Sequence, residues 1–182
     1  MRHDGDAGKT GSLYETDVSS ITEITNAAAE MYYGVLPERC YSRPYTTPED
    51  VRRDIEEGVV YRGYFLDSEL VGVIGVQEMD MSEPPTHDDG YLDGESVVAV
   101  RRLYVEPNHQ RRGIGTFLLE DCLRRHPHSD VYTVTWKDAT WAVEFYEKNG
   151  FENIGVQPDT VERYWSPPEG CEDEFVVLLL ER

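Results

Sequence analysis

The residues with the most chemistry in their spacing are Gln110-Arg111-Arg112-Gly113-Ile114-Gly115. They lie between a β-branched run, Val97 to Val105, and a stretch of helical character that opens at Ile114. The first N–H groups of a helix have no partner inside it, and the helix dipole adds partial positive charge there. Glycines let a phosphate-type anion approach such a backbone closely, and Arg111 and Arg112 add charge-assisted contacts. The pattern is neither a dinucleotide fingerprint, since Leu118 stands where a third glycine belongs, nor a Walker loop, since no lysine follows. Taken by themselves, the six residues equally describe a tight strand-to-helix turn with solvated arginines.

The elements that must position this loop follow from periodicity and punctuation. Val18, Ile21, Ile24, Ala28 and Met31 predict a helix over 17–33 with Asp17 at its cap. Thr47-Pro48 opens a second helix that ends near Gly58. Strands are expected over 59–66 and 70–78, joined at Asp67-Ser68-Glu69, then a long acidic loop over 79–95, then a strand over 97–105. A helix over 114–125, a strand over 131–136 and a helix over 139–149 follow, with Asp138 read as the cap. Strands over 151–156 and 175–180 pair across a loop carrying Pro167, Pro168 and Gly170. The order predicts an α/β (α+β, three-layer) arrangement. Residues 1–12 read as a disordered leader and 13–182 as a single domain.

Composition narrows the partners. Thirty-six acidic residues against seventeen basic ones leave a net charge of −19, spread along most of the chain. That balance excludes a basic face for nucleic acid and suits either a cationic substrate or a surface adapted to concentrated salt. The diffuseness favours the second, a halophilic protein. No apolar run reaches membrane-spanning length, and nothing in 1–12 resembles a signal peptide. Cys40, Cys122 and Cys171 are odd in number and lack a CxxC pair, which points to a reducing cytoplasm. Cys122 reads as a buried helix residue. His126 and His128 lack a third ligand, so no metal is expected.

The glycine loop, preceded by Leu103-Tyr104-Val105-Glu106-Pro107, resembles the acetyl-CoA loop of the GNAT superfamily, Q/R-x-x-G-x-G/A. About thirty residues on, Ala142-Val143-Glu144-Phe145-Tyr146-Glu147-Lys148-Asn149-Gly150-Phe151 resembles that superfamily's second signature, A-x-x-F-Y-x-K-x-G-F. The resemblance spans roughly 17–180 and implies a GNAT acyl-CoA N-acyltransferase fold, with a central mixed, mostly antiparallel sheet flanked by helices. It implies acetyl transfer from acetyl-CoA to a primary amine, the acceptor being a small molecule or a protein. The pyrophosphate would meet the backbone of Gln110, Arg112, Gly113 and Gly115 beside Thr116, with Arg111 and Ile114 in the same loop. Strands 97–105 and 131–136 would splay, leaving the backbone of Leu103 and Val105 to contact the pantetheine amides.

Tyr146 matches the family's general acid, a phenol near pKa 10 suited to protonating a leaving thiolate. Ala139 stands where many members carry a cofactor-binding asparagine, and Ala99 where some carry a catalytic glutamate. Candidates for the base are therefore Glu78, Asp80, His87 and Glu95. Tyr32, Tyr33, Tyr164 and Trp165 are candidates for lining an acceptor pocket. A homodimer is a family expectation. The rival readings are a transferase using another acyl-CoA donor and a non-catalytic acyl-CoA-binding module on the same fold.

Overall fold

The computed structural model describes residues 8–80 and 96–182. The base candidates His87 and Glu95, and nearly all of the acidic loop, lie outside the described residues. Seven strands form a mixed sheet in the order β1-β2-β3-β4-β5-β7-β6. These are β1 (Lys9–Leu13), β2 (Val60–Leu66), β3 (Glu69–Met79), β4 (Ser96–Val105), β5 (Ser129–Trp136), β6 (Glu152–Gly155) and β7 (Phe175–Leu180). Five helices accompany them: α1 (Val18–Ala29), α2 (Pro48–Glu56), α3 (Ile114–Arg125), α4 (Thr140–Lys148) and α5 (Pro158–Trp165). Pairing is antiparallel for β1–β2, β2–β3, β5–β7 and β6–β7, and parallel for β4–β5.

The described residues gather into two compact units, one of 8–30, 44–76 and 102–125, the other of 31–43, 77–80, 96–101 and 126–182. In the first, α1 buries Val18, Ile21 and Ile24 against Val51 of α2 and Leu13, Tyr61 and Val73 of the strands. The α2 start is as the sequence predicts: Thr47 Oγ1 accepts from the Asp50 amide at 3.2 Å, and Pro48 occupies the first turn. Asp17 stands at the α1 cap position, yet its carboxylate accepts from the Tyr14 amide instead. Asp67 and Ser68 both take positive φ, 48° and 69°, the geometry of a two-residue hairpin turn.

Two ionic clusters tie the first unit together. Arg62 on β2 reaches Asp121 on α3 at 3.0 Å, and Asp121 also accepts from Arg124 and Arg125. Arg102 on β4 meets Asp54 on α2 at 2.6 Å, and the Tyr61 hydroxyl donates to the same carboxylate at 2.7 Å. Burial pushes the Tyr61 phenol well above its ordinary value. It would depress Arg102, but the neighbouring Tyr61 and Asp54 outweigh it and raise the guanidinium's pKa.

The second unit is built on β5 and β7. Both are buried almost along their whole length; β7 is a continuous apolar run, while β5 also buries the polar Ser129, Asp130, Thr133 and Thr135. Trp136 and Phe175 stack across that pair with centroids 3.9 Å apart.

Three expectations need correction. β1 starts at Lys9, inside the stretch read as a leader, because Lys9 to Leu13 add an edge strand to β2 that has only one buried side chain to signal it. Helix α5 fills part of what reads as loop; it is eight residues long and lies between Pro158 and Pro167. Asp138 does not cap α4: the cap position is Ala139, with no side-chain bond.

Candidate functional site

The glycine loop belongs to the first unit, and each of its turns has a local cause. The Glu106 amide still donates to Val71 O at 2.9 Å, so β4 is held to β3 up to the point where the loop begins. A single 3-10 turn, Pro107–His109, follows. Glu106 organises it, accepting from the Asn108 amide at 2.9 Å and pairing with His109 Nδ1 at 2.7 Å. The Gln110 side chain donates back to the Val105 carbonyl at 3.0 Å. Arg111 and Gly113 then take positive φ, 60° and 82°, and turn the chain into α3.

The first hydrogen bond into α3 runs from the Phe117 amide to Gly113 O at 2.9 Å. The amides of Ile114, Gly115 and Thr116 are therefore the free donors of the first helical turn. Nothing lies within 4 Å of where a Gly113 Cβ would stand, so the approach to the turn is open. Arg111 and Arg112 are exposed and enter no ion pair among the described residues, whereas Arg62, Arg102, Arg124 and Arg125 of the same unit are all engaged. In a chain of net charge −19, two uncommitted guanidiniums beside a helix start fit a polyanionic ligand.

The helix behind the loop is seated firmly. Ile114, Leu118 and Leu119 are buried. A Cβ on Gly72 of β3 would lie 3.1 Å from Ile114 Cγ2 and 3.2 Å from Leu118 Cδ1, so the glycine permits a close helix–strand approach. Leu103 and Val105 sit half-buried on β4. The β4–β5 ladder pairs Ser96 with Ser129 through Val100 with Thr133 and records no partner pairs beyond, although both strands continue.

Tyr146 lies on α4, within the second unit. It is 7% exposed, with its ring edge-on to Phe145 at 5.1 Å and to Phe151 at 5.3 Å. Its carbonyl accepts from the Asn149 and Phe151 amides, and Gly150 closes the helix at φ 91°. The same unit gathers the predicted aromatic residues. Tyr32 stacks on Trp141 of α4, Tyr33 is 64% exposed beneath the Arg43 guanidinium, and Tyr164 meets Trp165 edge-on at the end of α5. Arg101 donates to the Tyr164 carbonyl and lies over the Trp165 ring. Glu78 and Asp80 are exposed, while Ala99 and Ala139 are fully buried. Among the described residues no His/Cys/Asp/Glu group could hold a metal ion.

Sequence reasoning missed two features here. Glu106 and His109 brace the loop, and the Glu-Pro order, a cap followed by a first-turn proline, was the available signal. Cys40 and Cys171 form a disulfide across 131 residues, which no spacing rule announces. The odd count spoke against any pairing, but Cys122 is simply the buried thiol left over.

A model of the acetyltransferase (GNAT) family matches residues 21–151, and the chain belongs to that family. Curated protein sequences yield no significant match. Solved structures similar in fold include a PaiA N-acetyltransferase from Thermoplasma acidophilum in complex with coenzyme A, at TM-score 0.67 and 17% identity over 97% of this chain and 99% of that one. An acetyltransferase from Thermus thermophilus aligns at TM-score 0.66 and 16% identity, covering 98% and 99%. Naa50 from Arabidopsis thaliana, in complex with a bisubstrate analogue joining coenzyme A to a peptide, aligns at 0.62 and 14%, covering 96% and 99%. Among the described residues no helix is long and apolar enough to cross a membrane.

Proposed function

We propose that the protein transfers an acetyl group from acetyl-CoA directly to a primary amine, with the donor pyrophosphate on the 110–116 loop. The observation that carries this reading is the conjunction at one helix start of an open Gly113 with amides and two arginines that find no partner among the described residues. Family membership supplies the donor class. Leu103 and Val105 offer backbone along β4 past the end of its ladder with β5, which suits the amides of a pantetheine arm.

In the step itself, the amine nitrogen attacks the thioester carbonyl, the C–S bond breaks, and the sulfur leaves as a thiolate that must gain a proton. Tyr146 is the proposed donor of that proton, and its aromatic surroundings keep water from competing. The attacking ammonium, with an ordinary pKa near 10.4, loses its proton at a cost of about 4 kcal/mol at neutral pH. Glu78 and Asp80, both exposed, remain candidates to take it, directly or through water. The acceptor is a small-molecule or protein amine; the peptide-bearing ligand of the Naa50 structure makes a protein amine worth testing first.

The deciding experiment is acetyl-CoA titration by calorimetry in molar KCl, with Gly113→Asp/Gly115→Asp as control. Saturable binding by wild type, weakened about 100-fold or more by two carboxylates beside the phosphates, is expected. A folded wild type that binds no acetyl-CoA would reduce the loop to a turn. Amine-dependent release of CoA separates the transferase from an acyl-CoA-binding module, and succinyl- or propionyl-CoA as competing donors test acyl specificity. A cytoplasmic, salt-adapted setting and a homodimer complete the proposal. The first is checked by a melting temperature that climbs between dilute and molar KCl, where screening silences self-repulsion, and the second by sedimentation.

A further inference from the structure

Arg111 stands in a conformation that its residue type disfavours. At φ 60° it lies in the left-handed region, where a side chain crowds the backbone and lowers the population roughly ten-fold. Gly113, at 82°, meets no such penalty. The Arg111 side chain does not offset it, being exposed and in no ion pair among the described residues. A backbone of this kind persists only where its neighbours over-determine it. On the helix side they do so by burial, since Ile114 and Leu118 seat α3 against Gly72. On the strand side the task falls to Glu106.

The Glu106 amide ties it to β3 through the Val71 carbonyl at 2.9 Å. Its carboxylate then serves three donor groups. Oε2 accepts from the Asn108 amide at 2.9 Å and pairs with His109 Nδ1 at 2.7 Å, and Oε1 accepts from Asn108 Nδ2 at 3.2 Å. The Glu106 and His109 side chains are only 29% and 24% exposed, so solvent screens their pair less than one on the open surface. The Gln110 side chain closes the turn on the Val105 carbonyl at 3.0 Å. We propose that Glu106 is a positioning residue of the donor site. By fixing 107–110 it holds Arg111 left-handed, and so sets the direction in which the chain enters α3 before any ligand arrives. Without the carboxylate, Arg111 relaxes toward the right-handed region, and the donor must restore the turn as it binds. This role rests on the reading of the loop as the acetyl-CoA site.

The test is acetyl-CoA calorimetry on the full chain, with Glu106→Ala made in the wild type and again in an Arg111→Gly background. Glycine takes positive φ freely, so it removes the need for the brace. Glu106→Ala is expected to weaken binding about ten-fold in the wild type, and about three-fold or less in the Arg111→Gly background. Its melting temperature should fall by no more than a few degrees. Glu106→Asp, which still accepts from the Asn108 amide, should keep most of the affinity. A side chain that merely supports the fold costs the same in both backgrounds, so equal losses overturn the proposal. Should Glu106→Ala not fold, His109→Ala removes one of the three bonds and is read in the same two backgrounds, where equal losses again overturn it. A wild type that binds no acetyl-CoA sinks the donor site and the positioning role together. A wild type that binds while Glu106→Ala matches it sinks the positioning role alone.

Discussion

The 105–116 loop and the 31–43 segment are shaped by opposite means. Apart from the Glu106 amide's bond to Val71 O, the bonds described for the loop join residues no more than five apart: Gln110 to Val105, His109 and Asn108 to Glu106, Phe117 to Gly113. The 31–43 segment is tied to Trp141, Gly170, Cys171 and Glu174, all more than a hundred residues away. A local loop is assembled as soon as its strand and helix form, and its backbone donors are pre-organised for a ligand. A segment held from a distance takes its place only after the chain has folded. The proposed donor site therefore lies in the region built largely from local bonds.

The sharpest way to divide the two is Tyr146→Phe. Turnover is expected to fall about 100-fold with acetyl-CoA affinity unchanged, because the proposed role of the phenol is on the leaving group and not on the loop. Steady-state kinetics beside calorimetry measures both, and wild-type turnover would remove Tyr146 from the chemistry. A structural change reaches the loop from behind. Gly72→Ala places a methyl 3.1 Å from Ile114 and 3.2 Å from Leu118, and should cost about 1–3 kcal/mol in denaturant unfolding. It should also weaken acetyl-CoA binding, since the displaced helix start is the proposed anion site. An unchanged affinity would show that the loop keeps its shape without its seat on β3.

The smallest effect is a pH dependence. Burial alone would raise Asp121, but hydrogen bonds and charge from Arg125 and Arg62 outweigh it and hold the carboxyl below its ordinary value. Such a group stabilises the fold above its unfolded pKa, about 3.9, and the contribution fades as pH falls through the lower folded value. Asp121→Asn should therefore lower the melting temperature at pH 7 and flatten its decline in acid. An equally steep acid decline in the variant would assign the effect to other carboxylates, such as Asp50, also held low once Thr47's hydrogen bonds outweigh its burial.

Much of the candidate site's local geometry was readable in advance because its determinants are local. Glycines at 113 and 115, the arginines between Gln110 and Gly113, and the strand and helix around them all fall in one stretch of sequence. The hairpin at Asp67-Ser68, the Thr47 cap and the Gly150 stop were readable for the same reason. Edge strand β1 escaped notice because it buries a single side chain and leaves no period to detect; helix α5 has Val161, Tyr164 and Trp165 at helical spacing but is only eight residues long and lies between Pro158 and Pro167. The cap of α4 went the other way: Asp138 had the right chemistry, but the chain turned one residue later, at buried Ala139.

By itself, then, the sequence pointed to the family, to most of the sheet-and-helix order and to the candidate anion-binding loop, because backbone donors, glycine conformations and periodic burial are written within a few residues of one another. Only the tertiary structure decided that Cys40 meets Cys171, that Tyr32 lies on Trp141, and that Arg102 is buried against Asp54 and Tyr61. Those pairings depend on where strands and helices far apart in the chain come to rest, and nothing in the spacing of the residues encodes that distance.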